Sequence, residues 1–128
     1  MSLKDRIKNN IGVNDFISVL LFSRNQAHVF HWQTNSYAAH MAFEGYYDGI
    51  VELVDSLVES YQGINDIIKL YSNDEKYVYG TDAATYFKDL LEFVNTNRTL
   101  FIDTDILNII DEIITLIKST LYKLTKLS

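Results

Sequence analysis

The stretch that decides the fold is SYAAHMAFEGYYDGIVELVDSLVESYQ, residues 36–62. Apolar side chains recur along it at steps of three and four residues, and no proline interrupts it before Gly63, which is placed like a C-terminal stop. Its apolar face consists of Phe43, Tyr47, Ile50, Val54, Leu57 and Tyr61. The pattern therefore predicts one long amphipathic helix of about 40 Å, at 1.5 Å per residue.

Three further helices are predicted, at about 14–33, 82–98 and 104–126. The last is rich in isoleucine, but its apolar positions step by three and four over twenty residues, which favours a helix over a strand. The chain has 128 residues with no proline and only five glycines, a composition typical of long helices. We expect a single domain, 1–128, folded as an all-α four-helix bundle. A short extra helix is expected between the second and third helices, where Ile64, Ile67, Ile68 and Tyr71 recur.

Composition narrows the range of functions. The absence of cysteine excludes disulfide scaffolds, iron–sulfur sites and thiol catalysis. A formal net charge of −6 predicts weak binding of nucleic acid or none. No apolar run is long enough to span a membrane, and no signal peptide is recognised, so a cytoplasmic location is expected. There is no G-x-S-x-G motif and no glycine-rich phosphate loop, and hydrolase or nucleotide-binding activity has no support.

All three histidines lie between residues 28 and 40, and carboxylates follow them on the next helix. His28 and His31 are one turn apart, and His40 comes one turn into the second helix. A helical wheel places His40 on the same edge as Glu44, Asp48, Glu52, Asp55 and Glu59. Imidazoles and carboxylates are ligands for first-row transition metals, so the cluster is a candidate metal site. The alternative is a solvated flank of an amphipathic helix, with histidines that only form hydrogen bonds.

The spacing of these residues separates two metal architectures. The chain has no Glu-x-x-His pair, which argues against a di-iron centre buried inside one bundle. Asp55 and Glu59 lie about 20 Å or more along the helix from His40, so they cannot reach the same ion within one subunit. A partner subunit running antiparallel would bring its Asp55 and Glu59 beside His31, His40 and Glu44 of the first. We expect that dimer interface to include Trp32, Phe43, Tyr47 and Val51.

Together, these motifs resemble those of the Dps proteins, the mini-ferritins that oxidise and store iron. The resemblance rests on AHVFHWQ at 27–33, on His40-x-x-x-Glu44 and on Asp55-x-x-x-Glu59. It covers about residues 14–63, and the overall look is most similar to short Dps-like proteins of large tailed phages. The connection from His31 to His40 is shorter than is usual in that family, and the third helix is short as well.

The resemblance implies a ferritin-like bundle, a ligand set, a substrate and an assembly. His31, His40 and Glu44 would bind iron in one chain, and Asp55 and Glu59 would come from its two-fold mate. Zinc or manganese would be substitutes for iron, and the implied activity is iron(II) oxidation, that of a ferroxidase. Residues expected around the ligands are Trp32, His28, Asp48 and Glu52. The smallest unit would be a homodimer, and the family's larger assembly is a dodecamer.

A second function class stays open at this point. A phage-encoded helical bundle could keep the fold for assembly or for binding a host protein, in the host cytoplasm, without turning over iron. The retained ligand set favours the iron-binding function, whereas the shortened connection and third helix favour this alternative.

Overall fold

The long central helix forms as its periodicity predicts. The computed structural model describes residues 3–4, 11–72, 74–79 and 83–127. In it the long helix spans Tyr37–Ile64, and it is called α2 because one helix precedes it. Its first turn is capped by Ser36, whose hydroxyl accepts a hydrogen bond of 3.1 Å from the backbone N–H of Ala39. Its buried residues step by three and four from Phe43 through Tyr46, Ile50 and Val54 to Leu57, with Ala42 beside them.

Three more helices complete an all-α four-helix bundle, as the sequence predicts. They are α1, Val13–Gln33, α3, Ala83–Asn97, and α4, Thr104–Lys126. A single 3-10 turn, Arg98–Leu100, links α3 to α4. All four helices begin and end within two residues of the predicted ranges. No helix in the described ranges is long and apolar enough to cross a membrane.

The helices share one aromatic core. Phe16 of α1 stacks on Phe93 of α3 with ring centroids 5.7 Å apart, and Phe87 packs on Tyr46 of α2 at 4.9 Å. Helix α2 lies between α1 and α4 and makes most of its contacts with them. Gly49 permits the close approach of α4, because a Cβ there would stand 3.2 Å from a methyl carbon of Leu116.

The predicted extra helix between α2 and α3 is not formed. Ile64 is the last residue of α2, and residues 65–72 and 74–79 run along the bundle without helix or strand. We call residues 65–79, of which residue 73 lies outside the described part, the strap. Ile67, one of the apolar residues that suggested the helix, is 68 % exposed. Ile64 and Tyr71 are exposed as well, and of these four residues Ile68 packs against the core. A helix here would therefore gain little burial from the apolar spacing.

The strap is fastened instead by polar side chains of α1 and α2. Gln62 accepts a hydrogen bond of 2.8 Å from the backbone of Ile68, and the Ser18 hydroxyl accepts one of 3.0 Å from Ser72. The buried amide of Gln26 binds both backbone groups of Val78, at 2.8 and 3.2 Å. These bonds hold the strap over the outer side of α1.

Candidate functional site

His31 and His40 are joined by a reciprocal pair of hydrogen bonds. Nδ1 of His31 lies 2.7 Å from the carbonyl oxygen of His40, and Nδ1 of His40 lies 2.9 Å from the carbonyl oxygen of His31. Their rings stack with centroids 3.5 Å apart and planes 18° from parallel. Since a carbonyl only accepts, each Nδ1 must donate its proton, and a neutral imidazole then keeps a free lone pair on Nε2.

A tight connection between α1 and α2 creates this pairing. The chain leaves α1 at Thr34, whose backbone N–H still donates to the carbonyl oxygen of Phe30 at 3.1 Å. The hydroxyl of Thr34 accepts a hydrogen bond of 3.1 Å from the backbone N–H of Ser36. Ser36 then caps α2. With only residues 34–36 between the helices, the last turn of α1 and the first turn of α2 lie side by side. His31 is buried there, and His40 is half-buried.

The five proposed ligands divide into two groups, one where α1 meets α2 and one further along α2. Glu44, half-buried, lies one turn after His40, whereas Asp55 and Glu59 are exposed and lie about 22 and 28 Å further along the helix from His40. In the part of the chain that the structure describes, no group of three or more His, Asp or Glu side chains could hold a metal ion. The structure therefore brings His31 and His40 together and leaves Asp55 and Glu59 far from them.

His28, Trp32 and Tyr47 form an aromatic stack beside the histidine pair. His28 lies between the other two rings, with centroids 4.3 Å from Trp32 and 4.3 Å from Tyr47. It also meets His31 edge-on at 5.9 Å. Trp32 contacts His28 and is 68 % exposed. His28 and Trp32 are two of the residues expected around the metal ligands, and that role stays a prediction.

Charges around this stack act on its titratable groups. Loss of hydration lowers the pKa of His28, with smaller contributions from Arg24 and His31 in the same direction, while Asp48 opposes them. Loss of hydration also raises the pKa of Tyr47, and the nearby carboxylates Glu44 and Asp48 raise it further. Both shifts favour the neutral forms, so His28 and Tyr47 remain uncharged near neutral pH.

The exposed edge of α2 is acidic throughout. We call Glu44, Asp48, Glu52, Asp55 and Glu59 the acidic ridge; α2 contains no lysine or arginine. The ion pair between Arg98 and Asp111 lies away from this ridge. The ridge therefore concentrates negative charge on one side of the bundle, which attracts cations.

Two features were beyond the reach of sequence reasoning. Arg24 lies 5.3 Å above the ring of Tyr47, and the sequence offered only its spacing of four residues before His28 as a signal. Phe43 was expected at a dimer interface, and that prediction is wrong. It is 2 % exposed and packs on Phe30 and Phe87 in the core, because it faces inward one turn before Tyr46 and two turns before Ile50.

Comparison with known proteins gives a family. The model of a family described as "Family of unknown function (DUF5856)" matches residues 31–124, which is most of the chain and includes all five proposed ligands. No curated protein and no solved structure matches the chain.

Proposed function

The chain belongs to the DUF5856 family, and we propose that it binds iron(II) and oxidises it at a site shared by two copies of the chain. Its ligands are His31, His40 and Glu44 of one copy, with Asp55 and Glu59 of the partner subunit. This proposal takes up the resemblance to Dps proteins and rests on the geometry of this chain's own residues.

The reciprocal pairing of His31 and His40 is the observation that carries the proposal. Each Nδ1–H is held by a backbone carbonyl, and this is how proteins orient imidazoles that bind a metal through the other ring nitrogen. The lone pair on Nε2 of each neutral imidazole is therefore available to bind a transition metal, and no proton has to move first.

A second copy supplies the ligands that one chain cannot bring together. A two-fold axis passing between Gly49 and Ile50 sets His40 opposite Glu59 of the partner subunit, and the same axis sets Glu44 opposite Asp55 of the partner subunit. One axis thus satisfies both pairs and generates two equivalent sites, as an isologous dimer requires.

The stacked rings favour a pair of ions at each site. An imidazole lone pair lies in the plane of its ring, and two planes 3.5 Å apart and nearly parallel direct their lone pairs along separate lines. We therefore assign one iron(II) to each imidazole, with carboxylates completing both. Each iron loses one electron on oxidation. Hydrogen peroxide accepts the two electrons with two protons to give two waters, or dioxygen accepts them to give hydrogen peroxide.

The shared site makes a homodimer the smallest active unit. A dodecamer is the larger assembly that the resemblance implies, and the cytoplasm is the location that we propose. Zinc and manganese are expected to occupy the same ligands as substitutes for iron. They are useful in experiments because zinc does not change its oxidation state.

One observation favours a second candidate, a non-catalytic bundle that binds a host protein or assembles without turnover. The histidine pair also latches α1 to α2, and such a latch needs no metal. Next to it, Trp32 and Tyr37 are 68 % and 76 % exposed, and large exposed aromatic side chains are enriched at protein interfaces.

The ligands in trans separate the two candidates. We expect the double variant Asp55→Asn/Glu59→Gln to lose most of the iron(II) affinity in anaerobic calorimetry, because it neutralises both carboxylates of the partner subunit. The matched control is Asp105→Asn/Glu92→Gln, which changes exposed acids of α4 and α3 and should bind as the wild type does. Equal binding by both variants, or no binding by the wild type, would support the non-catalytic bundle.

A further inference from the structure

Arg24 is the only lysine or arginine in α1. Its guanidinium donates a hydrogen bond of 3.1 Å to the side chain of Asn25 and lies over the ring of Tyr47. Within the described ranges no carboxylate approaches it to ion-pair distance. Arg24 lies between α1 and α2, on the face of the bundle that α3 and α4 leave open.

An open cleft of about 320 Å³ adjoins Arg24 on that face. It lies between α1 and α2, and its lining includes Leu21 and Val51, which are 49 % and 43 % exposed. The exposed side chains of Leu21 and Val51 thus stand at the edge of this cleft. In a two-fold dimer the same side chains of each copy can contact the cleft of the other copy, so the surface formed by α1 and α2 suits a second copy of the chain.

Charge complementarity selects the same occupant. None of the ridge acids forms an ion pair within the described ranges, and bringing two ridges together in a dimer would be repulsive. Arg24 is the cation that α1 presents beside the cleft. A second copy supplies acids to each Arg24 and an arginine to each ridge.

The register of the dimer identifies the acid that meets Arg24. Arg24 lies beside Tyr47 and Val51 of its own α2. With a two-fold axis between Gly49 and Ile50, the positions opposite these two residues are Glu52 and Asp48 of the partner subunit. Both acids are exposed. Asp48 also acts on His28 and Tyr47 in its own chain, whereas Glu52 has the longer side chain.

We propose that Arg24 of each copy forms an ion pair with Glu52 of the partner subunit, and that these two pairs hold the dimer together before any iron is bound. The inference rests on the proposed function, because the axis comes from the shared iron site. It deepens that function by dividing the ridge into two zones. Arg24 neutralises its middle, and iron(II) neutralises the two ends where the ligands lie.

Charge reversal tests the ion pair between Arg24 and Glu52 of the partner subunit. The protein is kept free of metal with a chelator. By sedimentation equilibrium we expect the wild type to be dimeric, and Arg24→Glu and Glu52→Arg each to raise the dissociation constant of the dimer at least tenfold. An equimolar mixture of the two variants should dimerise again, and so should the chain that carries both changes. The control pair Lys118→Glu and Glu112→Arg, on the exposed face of α4, should leave the dimer unchanged.

Several outcomes would overturn the pairing. These are a monomeric wild type without metal, a variant Arg24→Glu that dimerises like the wild type, and a mixture that stays monomeric although circular dichroism shows both variants folded. Iron(II) titration keeps this result separate from the function. A wild-type protein that dimerises but does not bind iron(II) would refute the iron site and not the Arg24 ion pair. An Arg24→Glu variant that dimerises like the wild type and binds iron(II) would refute only the Arg24 ion pair.

Discussion

At the scale of single residues, hydrogen-bond direction decides what each polar group does. The Ser23 hydroxyl donates to the carbonyl of Leu20 at 2.6 Å, so the bond of 2.7 Å between Ser23 and Tyr46 must have the tyrosine as its donor. Both side chains are fully buried, and burial raises the pKa of Tyr46. The same reasoning fixes the tautomers of His31 and His40, which the sequence could mark only as a cluster of imidazoles.

This direction predicts an asymmetry between two substitutions. Tyr46→Phe removes one hydrogen bond and leaves Ser23 with its bond to Leu20, so it should cost about 1 kcal/mol of unfolding free energy. Ser23→Ala leaves the buried hydroxyl of Tyr46 without an acceptor and should cost more, about 1–3 kcal/mol. Urea unfolding of both variants measures the difference. If Tyr46→Phe were the more damaging change, the assigned donor would be wrong.

At the scale of elements, periodicity was sufficient for the helices and insufficient for the strap. Helix α2 could be predicted because each apolar step faces a neighbouring helix, from Phe43 to Leu57. The apolar spacing of Ile64 to Tyr71 is similar, but the backbone there is held by Gln62, Ser18 and Gln26. Two of these three anchors lie more than fifty residues away in sequence, and no local pattern reveals them.

Gln26 should control the order of the strap at one end. We expect Gln26→Ala to expose the Val78 amide to fast hydrogen exchange, since it removes the acceptor at 2.8 Å. The Ser72 amide, which Ser18 holds independently, should keep its protection. Gln33→Ala, at the exposed end of α1, is the control. Val78 exchange unchanged by Gln26→Ala would show that the strap is fixed by other contacts.

At the scale of the whole molecule, one chain brings His31 and His40 together and holds Asp55 and Glu59 far from them. Spacing along α2 predicts this separation, and among the described residues no group of three or more possible metal ligands is formed. What the sequence could not reveal is the surface around Arg24, because it depends on how α1 and α2 pack. The formal charge of −6 is likewise unevenly distributed, with five of the acids on one helix that carries no base.

The most direct test of the shared iron site is anomalous scattering at the iron edge from crystals soaked in iron(II) without oxygen. The account predicts iron between His31, His40 and Glu44 of one copy and Asp55 and Glu59 of the partner subunit, at both ends of a two-fold interface. Saturating iron(II) with no anomalous peak at those residues, or crystals in which α1 and α2 face no second copy, would contradict it.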